Sequence, residues 1–292
     1  YALDATGMPQ SLSANDVAVT ENGTQATATT TCEPSNAGRN LSLVVAIDAS
    51  ASTSLGNPSS MDLMKNAARG VTQLLTATSD EIGLLTIDAQ ANLLYGLSTD
   101  RATYTSVVDN VRTSAGVNFN NGLMDQPMGG LTHLQNARNN RALLILTDGA
   151  PSFDIVASIG IARTFGIRVY VVCMNNTASD QLKRLADSSG GAWADNVSTI
   201  EDATAFARGF LADAKNFPSC KVSWTSTTSC VVLRKVNFTV GTTNRSLSYT
   251  LPTSALGVLE ASTLGLHFGQ PSAGNVVSRT VSLSARNEDV II

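Results

Sequence analysis

The chain has 292 residues, 43% hydrophobic and 14% charged, with 19 Lys+Arg against 23 Asp+Glu for a net charge of -4. That length points to two domains, and a charged fraction well below the usual about 25% leaves Ser, Thr, Asn and Gln to cover the surface, unlike a typical cytosolic enzyme. No basic block occurs, so a nucleic-acid backbone finds no electrostatic partner, and the longest apolar runs, Leu41–Ile47 and Ile167–Met174, fall far short of the roughly 20 residues that span a bilayer.

The first zone, Ser11 to Thr31, is Thr-rich and alternates apolar with polar residues, as in Val17-Ala-Val-Thr and Ala26-Thr-Ala-Thr, with Asn22-Gly23 between the runs. This reads as a β-hairpin on an Asn-Gly turn. From Leu41 the pattern changes. Continuous apolar runs at Leu41–Ile47, Ile82–Ile87, Ala142–Leu146 and Ile167–Cys173 are those of parallel strands buried on both faces. Helical spacing fills the intervals. Met61, Met64, Ala68, Val71 and Leu75 recur at three and four behind Ser60 as N-cap, and Leu182–Ala186 and Ile200–Ala214 follow the same rule, the last behind Ser198 or Thr199. Alternating strands and helices predict a doubly wound, mostly parallel α/β domain over residues 40–216. The last zone, from Ser219, returns to period-2 strands at Val231–Val240, Ser246–Leu251 and Val276–Ala285. Residues 1–39 and 217–292 are each too short to fold well alone, so we expect them to combine into one β-sandwich with the α/β domain as an insertion. The chain opens on Tyr1 and closes on the strand-like Asp289–Ile292. We therefore expect a piece of a longer protein, with any signal peptide or anchor outside it.

The chemistry-bearing residues sit at strand ends. The first apolar strand runs into Asp48-Ala-Ser50-Ala-Ser52 and the third parallel strand into Thr147-Asp148-Gly149. In an open α/β sheet, ligands bind beyond the carboxyl ends of the strands where strand order reverses, so the two groups are able to converge. Asp48, Ser50, Ser52 and Asp148 are all hard oxygen donors, a set that suits Mg²⁺ first, then Mn²⁺ or Ca²⁺, and disfavours zinc.

At these residues the sequence resembles the von Willebrand factor type A family, whose metal-ion-dependent adhesion site (MIDAS) is written Asp-x-Ser-x-Ser, a later Thr and a later Asp-Gly. The likeness extends to Asp80-Glu-Ile-Gly-Leu-Leu-Thr-Ile-Asp with Leu94-Tyr-Gly-Leu-Ser-Thr-Asp, matching the family's second and third strands, and to Leu185-Ala-Asp-Ser-Ser-Gly-Gly-Ala-Trp before its last strand. It runs from about Leu41 to Ala214. The resemblance implies one antiparallel edge strand, serines that coordinate the metal directly, Asp residues that act directly or through water, and a partner carboxylate as final ligand. One position departs: in Ala115-Gly-Val-Asn-Phe-Asn-Asn-Gly122, Val117 occupies the threonine's place. The missing oxygen costs the site about 1–3 kcal/mol by analogy with a lost charge-assisted hydrogen bond, and Asn118 or a water is the available substitute.

Other readings are weaker. Alone, Asp-x-Ser-x-Ser is an ordinary polar turn and helix cap. A phosphatase that starts from an Asp after its first strand needs a second Asp where Ser50 stands. The two histidines, His133 and His267, have no evident metal or triad partner in the sequence, and no phosphate-binding glycine loop or nucleophile elbow occurs. Of the four cysteines, Cys173 ends a buried strand and reads as a small core residue. Cys220 and Cys230 are the best disulfide pair, with Cys32–Cys220 and Cys32–Cys230 left open. The Asn-x-Ser/Thr sequons say nothing about the host in an Asn- and Thr-rich chain. The expectation is a non-enzymatic module, extracellular or on the cell surface. It would bind a protein or other macromolecular ligand through a divalent cation that takes an acidic group of the partner. The rival is a scaffold or spacer module with a degenerate metal site.

Overall fold

The computed structural model describes residues 12–13, 16–32, 38–149, 151–217, 219–226, 233–240, 243–250, 258–261 and 283–286. Gly38–Asn216 forms one compact unit, and the residues on either side of it form another. The chain enters through β1 (Val17–Glu21) and β2 (Thr24–Ala26), antiparallel neighbours, and continues into β3 (Ala28–Cys32). Asn22 and Gly23 between the first two strands have φ of 49° and 81°. A tight hairpin needs positive φ at both central residues, which is why Asn-Gly stands there.

The α/β unit then runs β4 (Leu41–Asp48), α1 (Ser60–Gly70), β5 (Glu81–Ile87), β6 (Ala91–Ser98), α2 (Arg101–Asn110), α3 (Phe119–Met124), α4 (Gly130–His133), β7 (Asn140–Thr147), α5 (Ile155–Thr164), β8 (Ile167–Met174), α6 (Asp180–Ser188), β9 (Trp193–Val197) and α7 (Ile200–Ala214). Its six strands lie in the order β6-β5-β4-β7-β8-β9, all parallel except the edge strand β6. Every residue of β4 is buried, as a central strand covered on both faces requires. Val44 and Ala46 share a core with Phe119 of α3, Leu131 of α4, Phe153 just before α5 and Leu182 of α6, whereas α1, α2 and α7 hold together on the other side. There the Tyr104 hydroxyl donates to the Ala68 carbonyl at 3.2 Å. A Cβ on Gly70 would meet Thr204 Cγ2 at 2.6 Å, so the glycine lets α1 and α7 approach closely. The chain passes from β4 outward to β5 and β6, then returns to β7 on the other flank of β4. The switch in strand order therefore falls between β4 and β7.

Boundaries moved where local capping outweighs periodicity. Ser59, rather than Ser60, caps α1, because its hydroxyl accepts from Asp62 N while the Asp62 carboxylate accepts from Ser59 N, a capping box. The helix ends at Gly70 and a 3-10 turn, Val71–Leu74, completes the expected segment. The four helices α2 to α5 carry no clear apolar period: α2 buries only Tyr104 and Val108 entirely, α5 only Ser158 and Ala162.

Beyond the α/β unit come β10 (Cys220–Trp224), β11 (Leu233–Val240), β12 (Thr243–Thr250), β13 (Val258–Ala261) and β14 (Leu283–Arg286). One antiparallel sheet has the order β12-β11-β1-β2, and β10 pairs with β3, β13 with β14. Val17, Val19, Ala26, Val222, Val236 and Phe238 share one apolar core, with Trp224 edge-on to Phe238 at 5.4 Å. Glu21 also points inward and is balanced by Arg234 at 3.1 Å, both fully buried, with Ser226 donating to the same carboxylate.

The disulfide joins Cys32 to Cys220, not Cys220 to Cys230. Cys32 and Cys220 are register partners on β3 and β10, so pairing across strands brings together two residues 188 positions apart. Short loop length was the wrong criterion. Cys230 and His267 lie outside the described residues, as does most of Val276–Ala285.

Candidate metal site at the carboxyl ends of β4 and β7

Asp48 is the last residue of β4 and only 2% exposed. Its Oδ1 accepts from Ser50 N at 3.0 Å and its Oδ2 from the Thr147 hydroxyl at 2.6 Å. After Ser50 the chain turns into a 3-10 segment, Ala51–Ser54, closed by the Thr53 amide and hydroxyl donating to the Ser50 carbonyl at 3.1 and 2.8 Å. That turn sets Ser50 and Ser52 on one side, with Oγ atoms 3.1 Å apart and hydrogen-bonded. Ser52 Oγ in turn donates to Asp148 Oδ1 at 3.0 Å, across 96 positions of sequence. All four predicted residues thus meet at the switch point, in one hydrogen-bonded group.

The Asp148 turn is held from below and beside. Gly149 N donates to Thr147 Oγ1 at 3.1 Å, and Asn176 Nδ2 donates to the Asp148 carbonyl at 2.9 Å from the loop after β8. Partial burial raises the Asp148 carboxyl above the ordinary range; the Ser52 hydrogen bond opposes the rise and the Asp48 charge adds to it. Two neighbouring carboxylates and two hydroxyls, all hard oxygen donors, fit a hard cation, which would relieve the repulsion between the carboxylates. Among the described residues no group of three or more His, Cys, Asp or Glu is placed to hold a metal. A cation here depends on the serines.

The loop with Val117 reaches the same rim. Ser114 N donates to the Ala49 carbonyl and Asn118 N to the Asp88 carbonyl, each at 2.6 Å. Val117 is 47% exposed and offers no oxygen. Asn118 caps α3, its side-chain oxygen accepting from Asn121 N at 3.2 Å, so the nearest substitute donor already has a structural task. Thr147 and Asn176 escaped the sequence reading: one looks like an ordinary β-branched strand residue, the other like an ordinary loop Asn. His133 ends α4, where burial lowers its pKa and a hydrogen bond to the Pro127 backbone opposes this.

The family model for the von Willebrand factor type A domain matches residues 42–210. No curated protein matches the sequence. Among solved structures, proximal thread matrix protein 1 from the mussel byssus aligns at 17% identity with a TM-score of 0.52, covering 66% of this chain and 50% of that one. Another structure of that mussel protein, with a zinc-occupied MIDAS motif, aligns at 16% identity and TM-score 0.52 over 68% of this chain and 50% of that one. A von Willebrand factor type A protein from Catenulispora acidiphila aligns at 13% identity and TM-score 0.51, covering 82% and 74%. The chain therefore spans about half the length of the mussel protein. At these identities the likeness is one of fold.

Proposed function

Because the chain belongs to the von Willebrand factor type A domain family, whose domains commonly mediate protein–protein interaction, we propose that it is a cation-dependent binding module of an extracellular or cell-surface protein. Asp48, Ser50, Ser52 and Asp148 hold the cation, and a carboxylate of a macromolecular partner completes its coordination. The observation that carries this reading is the 3.0 Å hydrogen bond from Ser52 to Asp148, which joins the two halves of the donor set. Mg²⁺ is the ion we favour on donor hardness, with Mn²⁺ and Ca²⁺ next. The mussel protein's MIDAS holds zinc, so zinc belongs in the same titration.

The reading contains no catalytic step: the carboxylates of the cluster are all needed as ligands, which leaves no general base for a metal-bound water. The byssal origin of a structural neighbour and the Cys32–Cys220 disulfide support an oxidising, extracellular setting. We read the two flanks as one β-sandwich domain, supported by the apolar core that β1, β10 and β11 share.

A second reading, a scaffold or spacer module with a degenerate site, is favoured by Val117, which presents a methyl-bearing side chain where the family has a hydroxyl. Calorimetric titration of Mg²⁺, Mn²⁺ and Zn²⁺ into the protein and into Asp148→Ala separates the two. Saturable binding lost in the variant supports the binding module. No binding at millimolar metal supports the spacer.

A further inference from the structure

We propose that Thr147 is a positioning residue of this centre, orienting the Asp48 carboxylate and the Asp148-Gly149 turn with a single hydroxyl; the proposal rests on the cation reading above. Thr147 closes β7 and is fully buried. Its strand pairs with β4 in parallel register, Leu146 opposite Ile47, so Thr147 comes level with Asp48 at the strand ends. The hydroxyl proton goes to Asp48 Oδ2 at 2.6 Å, while the oxygen accepts from Gly149 N at 3.1 Å. Ser50 N occupies Asp48 Oδ1 at 3.0 Å. Each carboxylate oxygen of Asp48 therefore has one fixed donor, and together the two donors set the plane of the group.

The geometry has a consequence for binding. Asp48 and Asp148 arrive from strands far apart in sequence, and Thr147 is the one side chain hydrogen-bonded both to Asp48 and to the turn that carries Asp148, among the described contacts. Without its hydroxyl the Asp48 carboxylate is free to rotate about its side-chain torsions, and the Gly149 amide loses its acceptor. Ordering both again would fall to the cation. Groups that orient ligands in this way usually change metal affinity about 10–100-fold when removed.

The test uses the full chain with its disulfide intact and Mn²⁺ as the probe. Thr147→Val keeps the branched shape and removes the hydroxyl; Thr147→Ser keeps the hydroxyl and removes the methyl. Affinity is measured calorimetrically at a temperature where each metal-free variant is folded by circular dichroism, which separates ligand orientation from general stability. The expected result is a loss of about 10–100-fold in Mn²⁺ affinity for Thr147→Val, with Thr147→Ser close to the parent. Should the valine variant not fold, Thr147→Ala replaces it against Thr147→Ser, since these two differ by the hydroxyl alone. Equal affinities with and without the hydroxyl, in a parent that binds Mn²⁺, overturn the proposal and leave the cation reading standing. A parent that binds no Mn²⁺ overturns both.

Discussion

Cys32 and Cys220 stand opposite one another on β3 and β10, and the disulfide between them closes a covalent loop that contains every residue of the compact unit Gly38–Asn216. Tension applied between the chain ends therefore passes through the sulfur bridge and bypasses the α/β unit. A protein pulled from its termini in single-molecule force spectroscopy should yield only the flanking residues. Reduction should release the 188 positions within the loop, about 620–680 Å of added extension at about 3.3–3.6 Å per residue. The same full extension before and after reduction would refute this.

Lys215 and Asp80 form an ion pair of 2.5 Å with both side chains buried. The same carboxylate accepts from the amides of Leu41 at 2.9 Å and Ala77 at 3.1 Å, joining the start of β4, the approach to β5 and the residue after α7. Lys215→Met leaves a buried carboxylate without its cation, an arrangement that costs about 3–5 kcal/mol. Urea unfolding of the variant should show a loss of that order; a change below about 1 kcal/mol would mean that water or relaxation compensates.

Val117→Thr places an oxygen donor where the family pattern has one, on a loop already anchored against the ends of β4 and β5. One recovered charge-assisted contact is worth roughly 1–2 kcal/mol, about five- to thirtyfold in dissociation constant. Calorimetry should show Mg²⁺ or Mn²⁺ affinity rising by that factor, and Asp48→Ala should abolish binding in either background. Unchanged affinity in Val117→Thr would place the side chain out of reach of the ion.

Burial pushes the Cys173 thiol up from 9.0 to about 12, with smaller contributions from the charges of Asp195, Asp148 and Asp48. The folded thiol thus stays protonated where the unfolded one ionises. Its contribution to stability is complete below pH 9 and is lost as the pH climbs from there towards 12. Denaturation midpoints should fall across that window more steeply in the native protein than in Cys173→Ala. At pH 8 a thiol reagent should modify Cys173 only after unfolding, and prompt labelling of the native protein would contradict its burial.

Sequence alone determined the elements whose physics is local or periodic. Leu41–Ile47 reads as a doubly buried strand because it is apolar at every position but Ser42, and the structure adds only Asp48 to it. Ile200–Ala214 has the expected bounds because its apolar period is unbroken and Thr199 supplies the cap. The hairpin at Asn22-Gly23 was legible for the same reason: few residue pairs adopt two positive φ angles in succession. Helices α2 and α5 were not, because each lies on the domain surface with too few buried positions to impose a period.

For the candidate site, sequence supplied the donors and their strand ends, since a resemblance in motif carries residue types. Which atoms meet was a tertiary matter. That Ser52 touches Asp148 follows from β4 and β7 being neighbours at the switch in strand order. Thr147 carries no signal of its own until that pairing sets its hydroxyl against Asp48. The cysteine pairing belongs to the same class. Distance along the chain favoured Cys220 with Cys230, whereas antiparallel pairing of β3 with β10 put Cys32 beside Cys220, because contact between strands depends on sheet register and not on how many residues separate them.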